Sequence, residues 1–252
     1  MTPLKKYHLI NSIKYISFIL LIIFSLSIGL SPLNKEILPE KISTIFNMAY
    51  LVLEKIGLIP SIILFLVLWL LSTKLNQLLA GYRGEALGQK KLKKLKKHGY
   101  KVFANMKLNH NSQKSEMDFI AIGDNGIFII EVKNIKGDII GHSDDKYLTQ
   151  IKKTKHNTYE NMFYNPIKQV NTHVFKLAEY LKSNGVNYWI EGFVYFPKKH
   201  STIQVENNNR IYSKKDSKNL IKHIQEYEGK ESISNSDQIK IEELIGKYAV
   251  RI

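Results

Sequence analysis

Gly126-Ile-Phe-Ile-Ile-Glu-Val-Lys-Asn134 (GIFIIEVKN) is the most hydrophobic strand of the chain, and it ends on charge. Residues i and i+2 of a strand share a face, so Glu131 and Lys133 lie on the side of Ile127 and Ile129. Charges beside a core are unfavourable unless they are paired, bound to a metal or used in chemistry. The preceding run, Glu116-Met-Asp-Phe-Ile-Ala-Ile122, is a second strand, and Gly123-Asp-Asn-Gly126 has the composition of a hairpin turn. Register then decides where Asp118 falls. A loop of Asp124-Asn125, or of Gly123 to Gly126, sets Asp118 opposite Glu131, and a loop of Asn125-Gly126 sets it opposite Lys133. Each of these puts two acids and a lysine on one face, whereas a three-residue loop separates them.

The elements around the hairpin give the fold class. A helix is expected from Gly81 to about His98, stopped by Gly99, followed by a strand over Tyr100–Leu108. Residues 134–157 read as a looser section. A helix opens at Asn165-Pro166 and runs to about Ser183, and Tyr188–Phe196 is a fourth strand stopped by Pro197. Short strands near Ile203 and Ile211 and helices over Ser217–Tyr227 and Ser236–Tyr248 follow. Helix, three strands, helix, strand is the order of an α/β domain with a mixed sheet.

The N-terminal third has a different character. Tyr15–Leu33 is free of charge and as long as a bilayer-spanning helix requires, and Ile56–Ser72 is similar, with Trp69 near its exit. A cleaved signal peptide fits poorly, because no small-x-small cleavage site follows the first run and a second run comes soon after. Lys5, Lys6 and Lys14 precede the first run, and Lys74, Arg83 and a dense lysine run follow the second. The positive-inside rule therefore places both ends and the remaining chain in the cytosol, tethered to the cell membrane. The expected organisation is a two-helix anchor over residues 1–80, a domain over 81–200, and an extension over 201–252 that packs on or completes it.

The 252 residues carry a net charge of +15, of which +4 falls in residues 1–80 and +11 in the rest. A polyanionic partner is expected, either nucleic acid or an acidic lipid surface. The run Lys90–Lys97 (KKLKKLKK) has three readings: an amphipathic face with solvated lysines, a contact for anionic membrane lipids, or a nucleic-acid contact. Lys198-Lys199-His200 and Lys214-Lys215 suit phosphate contacts equally well as a solvated surface. The chain has no cysteine, which excludes disulfides, thiolate metal sites and cysteine nucleophiles. No glycine-rich phosphate loop is present, so no nucleotide cofactor is expected.

Two acids and a lysine at one end of a hairpin form either a buried ion-pair network or a site for Mg²⁺, which takes one or two carboxylates plus waters and a phosphate. GYRGE at 81–85, SEMDFIAI around Asp118, GIFIIEVKN with the following Gly137-Asp-Ile-Ile-Gly141, and NPIKQVNTH at 165–173 occur in that order. Together these four segments resemble the nuclease-related domain (NERD) family, a branch of the PD-(D/E)xK restriction-endonuclease-like superfamily. The resemblance spans about Gly81 to Phe196. It implies a restriction-endonuclease-like mixed sheet flanked by helices and hydrolysis of phosphodiester bonds in DNA, with RNA the lesser expectation, using Mg²⁺ or Mn²⁺. It further implies that Asp118 and Glu131 hold the metal with the Val132 carbonyl as a third ligand, and that Lys133 is the catalytic lysine. Glu85 completes the metal site, Gln169 faces it, and His173 one turn later assists or packs. Met117 stands where the superfamily motif has proline, and Tyr147 stands where the family often has tryptophan. The alternative function is a membrane-tethered module that binds nucleic acid without cutting it.

Overall fold

A computed structural model of the chain describes residues 58–252 apart from 112, 200 and 230, together with scattered residues between 8 and 51. The chain divides into two units, residues 7–80 and residues 81–252. In the first, every described residue is helical. Among the described residues no helix is long and apolar enough to cross a membrane. Of the first expected span, 15–33, only 15, 16 and 19 are described. In the second, 56–72, only the side chain of 70 is described.

The second unit is ordered along the chain as the end of α1 (Leu58–Leu92), β1 (Lys101–His110), β2 (Gln113–Gly123), β3 (Gly126–Val132), β4 (Gly137–His142), β5 (Tyr147–Lys153), β6 (Thr158–Tyr164) and α2 (Pro166–Ser183). It continues with β7 (Ile190–Phe196), β8 (Ser201–Glu206), β9 (Ile211–Ser213), α3 (Ser217–Gln225), α4 (Asn235–Gly246) and β10 (Val250–Arg251). The expected helix start at Gly81 is not a start: α1 passes through it. The helix also changes type before its end. From Lys93 to His98 the chain is a 3₁₀ helix, and Gly99, at φ 86°, terminates it. Leu92 and Leu95 are three residues apart, and a turn of three residues puts both on one side; both are buried while Lys93, Lys94, Lys96 and Lys97 are exposed.

The principal sheet has the order β10-β1-β2-β3-β7-β9. β10, β1, β2 and β3 pair antiparallel, and β3, β7 and β9 pair parallel, which makes the sheet mixed. One face packs Ile120, Ile122, Ile127 and Ile129 against α2 and α4 through Val170, Leu177 and Ile241. The other packs Phe119, Ala121, Phe128 and Ile130 against Leu92, Leu95 and, from α3, Leu220 and Ile224. All seven residues of β3 are buried, so the strand lies at the centre of a two-sided core.

The looser section expected over 134–157 is instead the start of a second sheet, ordered β6-β5-β4-β8. Its strands escape an apolar-pattern reading because only one side packs. Ile139, Leu148 and Phe163 turn inward, and β6 is otherwise exposed. Residues 201–252 contribute β8 to this sheet and β9 and β10 to opposite edges of the principal one.

Candidate active site

The hairpin loop is the two-residue one, Asp124-Asn125, with Gly123 facing Gly126 and Phe119 facing Ile130. Carried one step further, that register brings Asp118 level with Glu131. The strands part here, and the Val132 N–H donates to Asp118 Oδ2 at 2.8 Å in place of a ladder bond. N–H and C=O of one extended residue point to the same side of a strand, so the Val132 carbonyl faces the Asp118 side as well.

Glu131 is 3 % exposed. Lys133 Nζ donates to Glu131 Oε1 at 2.8 Å and to Gln169 Oε1, from the first turns of α2, at 2.7 Å. Asn165 starts that helix by accepting from the Ile167 N–H, and its amide donates to the Ser143 and Asp145 carbonyls at 2.9 and 2.8 Å, tying the helix start to the β4–β5 turn. His173, one turn beyond Gln169, is buried. Its Nδ1 lies 2.8 Å from Ser115 Oγ on β2, and its Nε2 lies 3.5 Å from Glu131 Oε2. That distance is too long for a well-formed hydrogen bond, and Glu131 Oε2 is buried with no partner.

Glu85 approaches from α1, and glycines set the approach. A Cβ on Gly84 would lie 2.4 Å from Asn134 Cβ, and one on Gly88 would lie 2.9 Å from Val132 Cγ2 and 3.0 Å from a Phe119 ring carbon. Gly84 and Gly88, four residues apart on one helix face, let the backbone of α1 press on the end of β3. Burial first, then the charge of Glu131, pushes the Asp118 carboxyl well above its usual range. Glu85 adds to the rise, and the Val132 N–H and Lys133 oppose it. For Glu131, burial acts upward, yet His173 and Lys133 together outweigh it and hold that carboxyl below its usual range. The two neighbouring acids are thus driven apart, one toward the protonated form and the other toward the charged form.

Asp118, Glu131, Lys133 and Gln169 therefore converge, Val132 supplies its backbone, and Glu85 acts on Asp118 through its charge. Glu116 is on the surface, paired with Lys107 at 2.8 Å. Three participants were assigned no role from the sequence. Ser115 holds His173, and the glycine face of α1 is visible only against the strand it meets. The third is Asn105, which lies opposite Asp118 between the pairs Ala104–Phe119 and Met106–Met117. It has φ 53°, and its Nδ2 is buried without a partner. A non-glycine residue held in the left-handed region inside a strand is a strained position, of the kind that clusters at functional sites.

Among the described residues no three acidic or histidine side chains form a ready-made metal cage. The donor set nonetheless fits a hard divalent ion, because it consists of oxygens, and one of them, Glu131 Oε2, is buried without a partner.

Comparison with known proteins bears on the same segment. Residues 80–197 match the family model described as the nuclease-related domain (NERD). No curated protein and no solved structure matches the chain significantly.

Proposed function

Because residues 80–197 form a nuclease-related domain, we propose that this chain is a metal-dependent nuclease that hydrolyses phosphodiester bonds in DNA. The observation that carries the reading is the convergence of Asp118, Glu131 and Lys133 at one strand end, with Lys133 Nζ held at 2.8 Å from Glu131 and 2.7 Å from Gln169. Asp118, Glu131, the Val132 carbonyl and Glu85 would hold Mg²⁺ or Mn²⁺. Such an ion, when bound, supplies Lewis-acid polarisation and neutralises charge on a phosphoryl oxygen. Lys133 then orients the attacking water and stabilises negative charge gathering on the phosphorus oxygens as the new P–O bond forms and the bond to the deoxyribose oxygen breaks. Gln169 holds the lysine in place, and His173, fixed by Ser115, supports Glu131.

The full-length chain, incubated with supercoiled plasmid and Mg²⁺ or Mn²⁺, is expected to nick it. Lys133→Ala is expected to lower the rate by about 10²-fold or more, the scale on which removing one transition-state donor acts. Nicking by the Lys133→Ala protein at the parent rate would remove that residue from the mechanism.

A second reading is nucleic-acid binding without hydrolysis, supported by the net charge of +11 over residues 81–252. It predicts gel-shift binding with intact plasmid under every metal. We further propose that residues 1–80 tether the domain to the cell membrane, with the domain on the cytosolic side. The support is the sequence of 15–33 and 56–72, and recovery of the chain in the soluble fraction after cell lysis would overturn it.

A further inference from the structure

Three parallel neighbours, β3, β7 and β9, end together, and each is followed by cations. Lys133 and Lys136 follow β3, Lys198 and Lys199 follow β7, and Lys214 and Lys215 follow β9. The ends are level. Lys133 N–H donates to the Tyr195 carbonyl at 3.0 Å, and Phe196 pairs with Ser213. Beyond them, Lys199, Ser201, Thr202, Lys214 and Lys215 line an open cavity of about 490 Å³. Ser201 ties that cavity to the catalytic strand, since its Oγ donates at 2.6 Å to the carbonyl of Ile135, two residues past Lys133.

Among the described residues no acid lines the cavity, and none of Lys199, Lys214 and Lys215 forms an ion pair. Asp216, the nearest acid in sequence, accepts from Ser213 Oγ at 2.6 Å. Positive charge is dense between the cavity and the acids as well. Burial first, then the charges of Arg83 and Lys136, push the Lys198 ammonium down. Arg83 adjoins Gly84, the residue of α1 that abuts Asn134. On the far side the charge continues onto Lys218 and the lysine-rich run, where Lys91 is pushed down by burial and then by Lys94 and Lys218.

We infer that the Lys199–Ser201–Thr202–Lys214–Lys215 cavity anchors the phosphate backbone of a nucleic-acid strand, and that a phosphate a few nucleotides along the same strand occupies the site at Glu131 and Lys133, with Arg83, Lys136 and Lys198 lining the path between. The spacing suits it. Two strand-to-strand steps of about 4.8 Å carry the ends of β3 to β9, roughly 10 Å in all. Phosphates recur along each strand of a duplex every ~3.4 Å of axis, so the cavity lies about two or three nucleotides from the scissile bond. The inference rests on the nuclease reading for its direction, but the binding it requires does not depend on cleavage.

The test compares the full-length chain with Lys199→Ala/Lys214→Ala/Lys215→Ala and with the matching triple Lys→Arg protein, in EDTA. It follows fluorescence anisotropy of a labelled duplex from low to physiological salt. Removing one phosphate-neutralising cation makes the slope of log affinity against log salt shallower by about 0.9. The alanine protein is expected to show a slope shallower by about 2–3 and weaker binding at low salt, and the arginine protein to restore both. Unchanged slope and affinity would overturn the inference. So would weakened binding to phosphatidylserine vesicles with the DNA slope intact, which would make the cavity a lipid-headgroup site. A chain that never nicks plasmid yet shows the slope change loses the nuclease reading and keeps this one.

Discussion

Asp118 is held where its charge is unwelcome. Burial and the neighbouring Glu131 raise its carboxyl well above the usual range, and a group whose folded value is raised favours folding at low pH and loses that contribution as pH climbs through the raised value. Asp118→Asn should therefore stabilise the metal-free protein. The gain is absent below about pH 4, where folded and unfolded forms are both protonated, and grows toward neutral pH. Relief of about 1 kcal/mol corresponds to a rise in Tm of roughly 2–4 °C for a chain of this size. Thermal melts in EDTA at acidic and neutral pH check it; a Tm that falls at neutral pH would show that the Val132 N–H bond to the carboxylate outweighs the repulsion. At this scale the site was legible where strand alternation operates. Asp118, Glu131 and Lys133 are placed by one hairpin, and Gln169 by the resemblance. Asn105 and Ser115 were not legible, because a left-handed strand residue and a serine under a histidine leave no periodic mark.

Between elements, the contact that positions Glu85 is a pair of missing side chains. Replacing Gly88 with alanine favours the helix by about 1 kcal/mol in propensity, but the new methyl meets the β-branched Val132 at 2.9 Å and Phe119 at 3.0 Å, neither of which has room to yield. Overpacking of this kind costs about 1–3 kcal/mol. Gly88→Ala is thus expected to lower stability by about 1 kcal/mol in urea titration and to slow nicking, because α1 moves off the strand end. Stability above that of the parent would mean that α1 shifts freely. The strands β3 and β7 were readable as long buried runs, and β1 by its alternation. The second sheet was not, because β6 exposes six of its seven residues to solvent and so has a loop's polarity. The 3₁₀ end of the lysine-rich run was similarly hidden, since leucines three apart suit an α-helix nearly as well.

Across the whole second unit, distant segments meet at the hairpin turn. Asn125 Nδ2 donates to the carbonyls of Ile224 and Tyr227 at 2.7 and 3.2 Å, closing the end of α3, while its Oδ1 accepts from the Tyr100 hydroxyl at 2.8 Å. The Ile233 N–H reaches the Asp124 carbonyl at 2.7 Å. Asn125→Ala removes the amide donor from the Tyr227 carbonyl and leaves the Ile224 carbonyl to the Tyr100 hydroxyl alone, at 3.1 Å, and a loss of about 1–3 kcal/mol is expected. The turn is at the opposite end of β3 from Glu131, so the nicking rate well below the melting transition should hold. A fall in rate with stability unchanged would contradict this division of labour.

The strand order has a temporal consequence. β2 and β3 are joined by two residues and can pair within microseconds, whereas Phe103 waits for Arg251 and Val194 for Ile211, partners that are remote in sequence. The acids thus meet early, on a hairpin whose sheet is still open on both sides. During that interval β1 and β7 are unprotected edges, the surfaces on which chains pair with one another. Pulsed hydrogen exchange during refolding should find the β2–β3 amides protected before those of β1–β10. Aggregation during refolding should rise with protein concentration and fall once β9 and β10 have docked, so that yield is limited by the closing of the sheet and not by the assembly of its chemistry.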